Sequence, residues 1–564
     1  MSVRLDSKAA GAGTTSVNIA EHLPAMAELS PHRPAVIFPQ GRDRAGRVAY
    51  THHTFDQLDR ASDALACGLE HLGIVRGTRT VLMVKPSLEF FELTFALYKI
   101  GSVLVMVDPG MGIRNLGTCL AEADPHAFIG IPKAHVARVL LGWAKGSLRQ
   151  LVTVGRRLFW GGHTLSAVRK AGRRKGRYEM AHTEASETAA ILFTSGSTGI
   201  PKGAVYSHGN FAAQVDIIRR LYGIEPGEMD LATFPLFGLF GPALGMTTVI
   251  PDMDASRPAH VDPQKIVQPI HDFGVTSMFG SPALLDRVGR YGVAREVALP
   301  SLRRVISAGA PVSARTQERF CQMLSPGVEV FTPYGATEAL PVASLGSGTI
   351  LEETRHQTAE GAGVCVGKPI AEATVSIIAI SDEPIERWSE ELLAVPGEIG
   401  EIVVKGPMVT CSYYGRPEQT ALAKIEDADG AVRHRMGDLG YLDGEGRLWF
   451  CGRKAHRVEA ASGTLFTIPC EGVFNAHPHV YRSALVGVER GGSICPVVCV
   501  ELEKESKGVD RDTIKRELLE LGAARPHTAG IDTILFHPAF PVDIRHNAKI
   551  FREKLALHAK GELS

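Results

Sequence analysis

The stretch AAILFTSGSTGIPKG, residues 189–203, decides the fold. Its apolar first third predicts a buried strand, and the glycines and hydroxyl residues that follow predict a loop. The glycines let backbone N–H groups turn toward one anion, the hydroxyl groups add donors, and Lys202 adds a positive charge. Because the spacing is not that of a Walker loop, we expect a phosphate-binding loop of another kind, with a plain surface turn as the alternative. The candidate phosphate-binding residues are Thr194, Ser195, Gly196, Ser197, Thr198, Gly199 and Lys202.

Strand and helix patterns alternate on both sides of this loop. Residues 80–107 predict a strand, a helix and a second strand, which is the βαβ pattern of an α/β protein. Residues 397–406 predict a glycine-punctuated strand of a smaller β unit. We therefore predict an α/β fold with a large N-terminal region of βαβ sheets plus a small β unit, residues 1–452. A smaller α+β domain, residues 453–564, follows.

The composition excludes some classes of partner. The 61 Lys and Arg residues balance 61 Asp and Glu, so no global field attracts nucleic acid or an anionic membrane. Nine scattered cysteines predict buried free thiols. With no signal-peptide pattern and no apolar stretch suited to a membrane span, we expect a cytoplasmic protein. The basic run at 169–177 is given no role: a solvated loop is favoured over contact with an acidic partner.

Further candidate residues lie outside the loop. Residues 334–338 place Tyr334, which could stack on a purine, close to Glu338, which could hold Mg²⁺. Asp438 lies in a glycine-flanked turn and is suited to accept ribose hydroxyls, with a simple turn aspartate as the alternative. Arg453 could reach the same ribose or a phosphate, or be a surface arginine. Lys549, before a predicted terminal helix, would by itself indicate solvent exposure.

Taken together, these segments resemble the superfamily of AMP-forming adenylating enzymes, which includes acyl-CoA ligases, peptide-synthetase adenylation domains and firefly luciferases. Residues 307–311 (SAGAP) are similar to the adenine-contacting loop of that family. The resemblance implies three N-terminal subdomains followed by a mobile C-terminal domain that begins just after Gly452-Arg453. It also implies a small-molecule carboxylic acid substrate and the cofactors ATP and Mg²⁺.

The resemblance assigns roles to single residues. Thr194 to Lys202 would hold the pyrophosphate end of ATP, Thr337 would contact the α-phosphate, and Glu338 would bind Mg²⁺. Lys549 would bridge the reacting carboxylate and the α-phosphate, where positive charge is needed because two anions come together. The catalytic candidates are thus Lys549, Glu338, Thr337 and Lys202. The further nucleotide-binding candidates are Gly309, Ala310, Pro311, Tyr334, Gly335, Asp438 and Arg453.

The sequence departs from the acyl-CoA ligases at the acyl pocket. Where those enzymes usually carry a histidine or aromatic gate after a Pro-x-Phe segment, this chain has Gly238, with Gly241 and Gly245 following at helical intervals. Removing side chains along one face would widen a tunnel for a bulky acyl group, and close helix packing is an equal alternative. The tunnel candidates are Phe234, Phe237, Gly238, Gly241 and Gly245.

A second departure lies at the predicted hinge. Ala455 stands where the family usually has Asp or Lys, and the loop over 457–471 has one extra residue between its glycine and its proline. Both changes weigh against a CoA half-reaction, while domain closure for adenylation is still expected.

With these departures the chain most closely resembles the β-lactone synthetases of long-chain olefin biosynthesis. The implied substrate is a long-chain 2-alkyl-3-hydroxy fatty acid, whose own hydroxyl displaces AMP from the adenylate to give a β-lactone. His208 and His546 are candidate bases for that step, and each also fits a structural role. A long-chain acyl-CoA or acyl-AMP ligase is the alternative, followed by a non-catalytic nucleotide-binding module. The resemblance also raises assembly with other enzymes of the same pathway as a hypothesis.

Overall fold

The computed structural model describes residues 16–107, 111–173, 176–194, 201–234, 238–506, 508–543 and 549–563. Strands and helices alternate through the first 340 residues, and mostly antiparallel strands with fewer helices follow, which confirms the predicted α/β class. Within these ranges every helix is too short or too polar to span a lipid bilayer. All nine cysteines are free thiols as expected, but only six of them are buried: Cys321 and Cys495 are partly exposed and Cys411 is exposed.

The strands are numbered in chain order. They are β1 (Pro34–Arg42), β2 (Val48–Thr54), β3 (Arg79–Met83), β4 (Val103–Val107), β5 (Ala127–Gly130), β6 (Gln150–Thr153), β7 (His163–Thr164), β8 (Thr188–Thr194), β9 (Lys202–Ser207), β10 (Met229–Ala232), β11 (Thr247–Val249), β12 (Ser277–Phe279), β13 (Arg304–Ile306), β14 (Glu329–Ala336), β15 (Ala339–Gly346), β16 (Val364–Gly367), β17 (Thr374–Ile378), β18 (Gly400–Lys405), β19 (Lys424–Glu426), β20 (Val432–Leu442), β21 (Leu448–Arg453), β22 (Val458–Ala460), β23 (Gly463–Leu465), β24 (Val480–Arg490), β25 (Ser493–Leu502) and β26 (Thr533–Phe536).

The described α-helices are numbered in the same way. They are α1 (His22–Leu29), α2 (Phe55–His71), α3 (Leu88–Ile100), α4 (Ile113–Ala123), α5 (Pro132–Leu141), α6 (Leu165–Ala171), α7 (His208–Tyr222), α8 (Phe240–Ala243), α9 (Gln264–Phe273), α10 (Pro282–Ala294), α11 (Ala314–Cys321), α12 (Ser347–Thr349), α13 (Arg355–Ala359), α14 (Pro417–Ala423), α15 (Thr467–Asn475), α16 (Arg511–Ala523) and α17 (Arg552–Leu563).

A seven-stranded sheet of order β7-β6-β5-β3-β4-β8-β9 carries the predicted phosphate loop. The predicted strand, helix and strand over 80–107 are confirmed as β3, α3 and β4. Helix α3 begins where Ser87 accepts a hydrogen bond from the Phe90 N–H, and it ends at Gly101, whose φ of 74° suits glycine. Strands β8 and β9 pair antiparallel, and β9 lies at the edge of the sheet.

A second sheet of eight strands has the order β15-β14-β13-β12-β10-β11-β1-β2. Its central strands are parallel, so the carboxyl ends of β13 and β14 lie side by side at one edge. Ligands in such sheets bind outside the carboxyl ends of the strands. The segments 307–311 and 334–338 both begin at this edge.

The predicted small β unit is an antiparallel sheet of order β16-β21-β20-β18-β17, with β19 paired to β20. Beyond it, β24, β25 and β26 form a separate three-stranded sheet that packs on α15 and α16. The segment 457–471, expected as a loop, is instead the β22–β23 hairpin followed by the first turns of α15.

Candidate functional site

The predicted phosphate loop is described only at its two ends. Ser195, Gly196, Ser197, Thr198 and Gly199 lie outside the described residues, and Thr194 pairs with Lys202 through the backbone. Gly203 belongs to strand β9 rather than to the loop. A Cβ there would lie 2.8 Å from Ile191 Cγ2, so close packing, and not a turn toward an anion, requires this glycine.

Lys202 and Glu338 meet at the side chain of Tyr413. Lys202 Nζ lies 5.1 Å from the centroid of the Tyr413 ring, and the Tyr413 hydroxyl donates to Glu338 Oε1 at 2.6 Å. Burial lowers the pKa of Lys202, while the charge of Glu338 acts in the opposite direction. The structure therefore brings together one predicted phosphate-binding cation and the predicted Mg²⁺ ligand. Sequence reasoning missed Tyr413, which has no recognisable motif.

The backbone of the turn at Thr337 and Glu338 is held from two sides. The Thr337 carbonyl accepts a hydrogen bond from the Tyr206 hydroxyl, and the Glu338 carbonyl accepts from the Thr410 N–H at 2.9 Å. The neighbouring Gly335 has no room for a side chain, because a Cβ would lie 2.6 Å from the Ala339 carbonyl oxygen. These contacts fix the direction of the Glu338 carboxylate.

Asp438, Arg453 and Tyr334 form a second cluster. Asp438 and Arg453 are cross-strand neighbours on β20 and β21, and Arg453 Nη1 lies 2.9 Å from Asp438 Oδ1. The Tyr334 hydroxyl donates to Asp438 Oδ2 at 2.8 Å, so Tyr334 is anchored through its hydroxyl as well as offering its ring. Burial raises the pKa of Asp438, and Arg453 opposes that shift. Among the described residues Asp438 Oδ1 has no aligned hydrogen-bond donor, which leaves it able to accept from a ligand hydroxyl.

The segment with Gly309, Ala310 and Pro311 lies beside this cluster in the sheet. It follows β13, and the Ile306–Phe331 register pair ties β13 to the strand that carries Tyr334. Gly309 has a φ of 96°, a backbone conformation that favours glycine. The geometry thus puts the predicted adenine loop and the predicted stacking tyrosine at one sheet edge.

A buried cation, Lys424, lies beneath the Glu338 turn and was missed by sequence reasoning. Lys424 Nζ donates to the Thr410 carbonyl and lies 3.3 Å from Thr410 Oγ1. Burial lowers the pKa of Lys424 to about 8. Its strand partner His434 donates from Nδ1 to the Ala423 carbonyl at 3.1 Å, and burial, with nearby positive charges, holds the His434 pKa well below its usual range. Because a carbonyl oxygen can only accept, Nδ1 is the donor in this contact.

Lys549 lies within electrostatic reach of His456, which is near the predicted domain boundary. The Lys549 carbonyl accepts from the Asp543 N–H at 2.9 Å. The pKa of His456 is lowered to about 4, mainly by burial. The positive charges of Arg552, Arg453 and Lys549 lower this pKa further. Lys549 and Arg453 are therefore both within electrostatic reach of His456, a residue that the sequence did not single out.

The two candidate bases have different outcomes. His208 is fully buried at the start of α7, and its Nδ1 accepts from the Ile19 N–H at 3.3 Å. Burial lowers its pKa to about 4, which favours the structural interpretation of this histidine. His546 lies outside the described residues.

The glycines of the predicted tunnel pack against core atoms. A Cβ at Gly241 would lie 2.0 Å from Thr248 Oγ1, and one at Gly238 would lie 3.1 Å from Ala232 Cβ. Gly245 does not continue the helical spacing, because α8 ends at Ala243 and Gly245 has a φ of 80° in the following turn. This geometry favours close packing at Gly241 and Gly245. Phe234 contacts the Phe279 ring at 6.4 Å between centroids, and Phe237 lies outside the described residues.

The arrangement suits a nucleotide with a divalent cation. Lys202 and Arg453 can face phosphate oxygens, and Asp438 can accept ribose hydroxyls. Tyr413 occupies one carboxylate oxygen of Glu338, and the second remains suited to a hard cation such as Mg²⁺.

Comparisons with known proteins agree with this chemistry. The family described as AMP-binding enzyme matches residues 23–414. Two proteins named olefin beta-lactone synthetase, from Stenotrophomonas maltophilia (strain K279a) and Xanthomonas campestris pv. campestris, are 52% and 51% identical to this chain over 97% of its length and 98% of theirs. The solved structure of the amide bond synthetase McbA from Marinactinospora thermotolerans has a TM-score of 0.78, at 22% identity, over 96% of this chain and 99% of that one. The chain therefore belongs to the AMP-binding enzyme family.

Proposed function

We propose that the protein is a β-lactone synthetase that adenylates a long-chain 2-alkyl-3-hydroxy fatty acid and then closes the lactone. The observation that carries this proposal is the 51–52% identity, over 97% of the chain, to two proteins named olefin beta-lactone synthetase. This identity covers nearly the whole chain, so it is not confined to the motifs that all adenylating enzymes share.

The site residues support the first step. Asp438 and Arg453 would hold the ribose, with Tyr334 against the base, and Lys202 would neutralise the pyrophosphate end. Glu338, oriented by Tyr413 and Thr410, would hold Mg²⁺. Bound there, Mg²⁺ would neutralise charge on the phosphate oxygens. Lys549 would stabilise the charge that concentrates when the substrate carboxylate meets the α-phosphate.

The second step needs no further substrate. In the acyl adenylate the 3-hydroxyl lies on the same molecule as the activated carbonyl, so its effective concentration is high enough to offset the strain of a four-membered ring. The hydroxyl oxygen forms the new bond to the carbonyl carbon, AMP leaves with the bonding electron pair, and the hydroxyl proton is lost. Water must be excluded, since it would hydrolyse the adenylate.

We also propose that the chain divides after residue 452, with residues 454–457 as the connection. The separate sheet of β24, β25 and β26 supports this division. A cytoplasmic location fits nine free cysteines, which persist in a reducing compartment. Assembly with enzymes that make the substrate or consume the β-lactone belongs to the same proposal.

The test is a product analysis with and without CoA. Purified protein with ATP, Mg²⁺ and a 2-alkyl-3-hydroxy fatty acid should release AMP and pyrophosphate and form the β-lactone when CoA is absent. A matched 2-alkyl acid without the 3-hydroxyl should support pyrophosphate exchange but give no lactone. AMP release and a thioester that form only after CoA is added would instead identify an acyl-CoA ligase.

A further inference from the structure

One part of the neutral chain contains cations and no carboxylates. Residues 125–178 include twelve Lys and Arg residues and not one Asp or Glu. We call residues 131–173 of this segment the edge lobe; it comprises α5, the loop after β6, strand β7 and α6. The balanced composition of the whole chain therefore conceals a strong local charge.

Most cations of the edge lobe point into solvent. Within the lobe Arg169 is paired, with Glu92, and just beyond it Arg177 pairs with Glu28. Seven others are exposed and have no carboxylate partner among the described residues. They are Lys133, Lys145, Arg149, Arg156, Arg157, Lys170 and Arg173.

The edge lobe also exposes large apolar side chains. Phe159 is 74% exposed and Leu158 is 47% exposed, directly after Arg156 and Arg157. At the end of α5, Leu140 is 77% exposed. An isolated exposed leucine needs no explanation, but a phenylalanine and leucines among unpaired cations are typical of a surface that binds a partner.

Phe159 is held outward by its neighbour. Trp160 is buried and stacks on His135 of α5, with 5.2 Å between ring centroids and an interplanar angle of 4°. Its Nε1 donates to Thr153 Oγ1 at 2.9 Å. The exposed residues 156–159 therefore form a tip whose base is fixed to the fold. Leu140 follows His135 by five residues in α5, so it lies roughly 8 Å along the helix from the residue on which Trp160 stacks.

We propose that the edge lobe docks on an anionic lipid surface. Unpaired cations attract the negative surface of such a membrane, and exposed Phe and Leu side chains can enter the boundary between head groups and acyl chains. A highly charged polymer, such as nucleic acid or an acidic peptide, would use the cations but would leave Leu140 and Leu158 without an apolar environment. The docking proposal does not depend on the proposed function. Only one consequence rests on that function: docking would give the enzyme access to a long-chain acid dissolved in the bilayer.

The position of the edge lobe leaves the nucleotide site open. Strand β7 lies five strand positions from β8 in the seven-stranded sheet, and at the usual strand spacing this corresponds to about 24 Å. Substitutions in the tip should therefore change membrane binding without changing pyrophosphate exchange in detergent solution. That separation distinguishes failure of the docking proposal from failure of the proposed function.

The test is co-sedimentation of the full-length protein with vesicles of phosphatidylcholine alone, or with 30% phosphatidylglycerol added, at low and high salt. The protein should bind the anionic vesicles at low salt and be released as salt rises. R156Q/R157Q should bind about 30-fold more weakly, at roughly fivefold per cation. The control R303Q/R516Q removes two exposed arginines elsewhere and should bind within about twofold of the unchanged protein.

F159S separates the apolar contribution from the charge. It should weaken binding by about tenfold while leaving the salt dependence unchanged, because no charge is removed. Absence of binding to anionic vesicles at low salt, or equal loss in R156Q/R157Q and R303Q/R516Q, would overturn the proposal. Binding to polyglutamate or DNA without binding to vesicles would assign the edge lobe to an acidic polymer and would also overturn it.

Discussion

Replacing Tyr413 with phenylalanine tests whether the Glu338 carboxylate must be held in one direction. The substitution removes only the hydroxyl that donates to Glu338 Oε1 at 2.6 Å, and the ring beside Lys202 remains. Under the proposed function, a loosened Glu338 would bind Mg²⁺ and ATP in a less defined geometry. We therefore expect weaker use of Mg²⁺ rather than loss of the fold.

The magnitude follows from the type of hydrogen bond. A hydrogen bond to a charged group contributes about 1.5–3 kcal/mol. Glu338 is only half-buried, so water can take the place of part of the lost contact, and the lower end of that range applies. We expect the rate of adenylation at subsaturating Mg²⁺ to fall about tenfold and to recover partly as Mg²⁺ is raised.

The assay is carboxylate-dependent exchange of pyrophosphate into ATP, measured over a range of Mg²⁺ concentrations. Tyr414→Phe is the matched control, because it removes the same hydroxyl from the adjacent residue, whose ring lies 5.9 Å from the Arg79 guanidinium carbon. The thermal unfolding midpoint of each variant shows whether the fold is intact. If the two variants need the same Mg²⁺ concentration for half-maximal exchange, the argument that Tyr413 orients Glu338 is wrong.

Two further predictions concern charge. Lys549→Ala should lower the rate of pyrophosphate exchange at least about a hundredfold, because one preorganised donor contributes roughly 3 kcal/mol to the transition state. The affinity for ATP, measured by calorimetry, should stay within a few-fold of that of the unchanged protein. A fall in the exchange rate of less than tenfold would contradict the catalytic role of Lys549. Burial alone would raise the Asp443 pKa, but hydrogen bonds from Trp449 and Arg447 lower it to about 2. The ionised Asp443 side chain therefore stabilises the folded state above about pH 4, and this stabilisation is lost as pH falls through about 2. Asp443→Asn should therefore lower the free energy of unfolding by about 2 kcal/mol at pH 7. The urea midpoint of the variant should approach that of the unchanged protein as pH falls to 3. A difference between the two midpoints that does not change with pH would refute this.

The parts of the fold that the sequence predicts are those with strong local signals. Helix α3 was predictable because an apolar run is bounded by Ser87 and Gly101, which the structure uses as its caps. The β22–β23 hairpin was missed, because each strand has three residues and neither has an alternating pattern long enough to detect. Short strands depend on their partners in the fold rather than on their own sequence.

The same division applies to the site. Glu338, Asp438 and Arg453 stand in motifs, so their resemblance to a family identified them. Lys424 lies in a segment that looks like an ordinary charged surface, and only the pairing of β19 with β20 places it in the interior. Tyr413 gains its importance from Glu338, which is 75 residues away in the sequence. Contacts at such separations leave no local pattern.

The contacts around the proposed hinge at Ala455 are consistent with a reaction that has one substrate acid and no second acceptor. Lys454 Nζ donates to the Ser381 carbonyl at 2.6 Å and lies 3.1 Å from Glu401 Oε2, while Arg457 pairs with Asp382 at 2.6 Å. Lys454 precedes Ala455 and contacts residues that also precede it, so a rotation at Ala455 leaves these contacts in place and breaks the pair between Arg457 and Asp382. An enzyme that rotates here to admit CoA has to break and re-form this pair in every cycle. A lactone synthetase can complete both steps while these contacts stay in place, because its nucleophile arrives with the substrate.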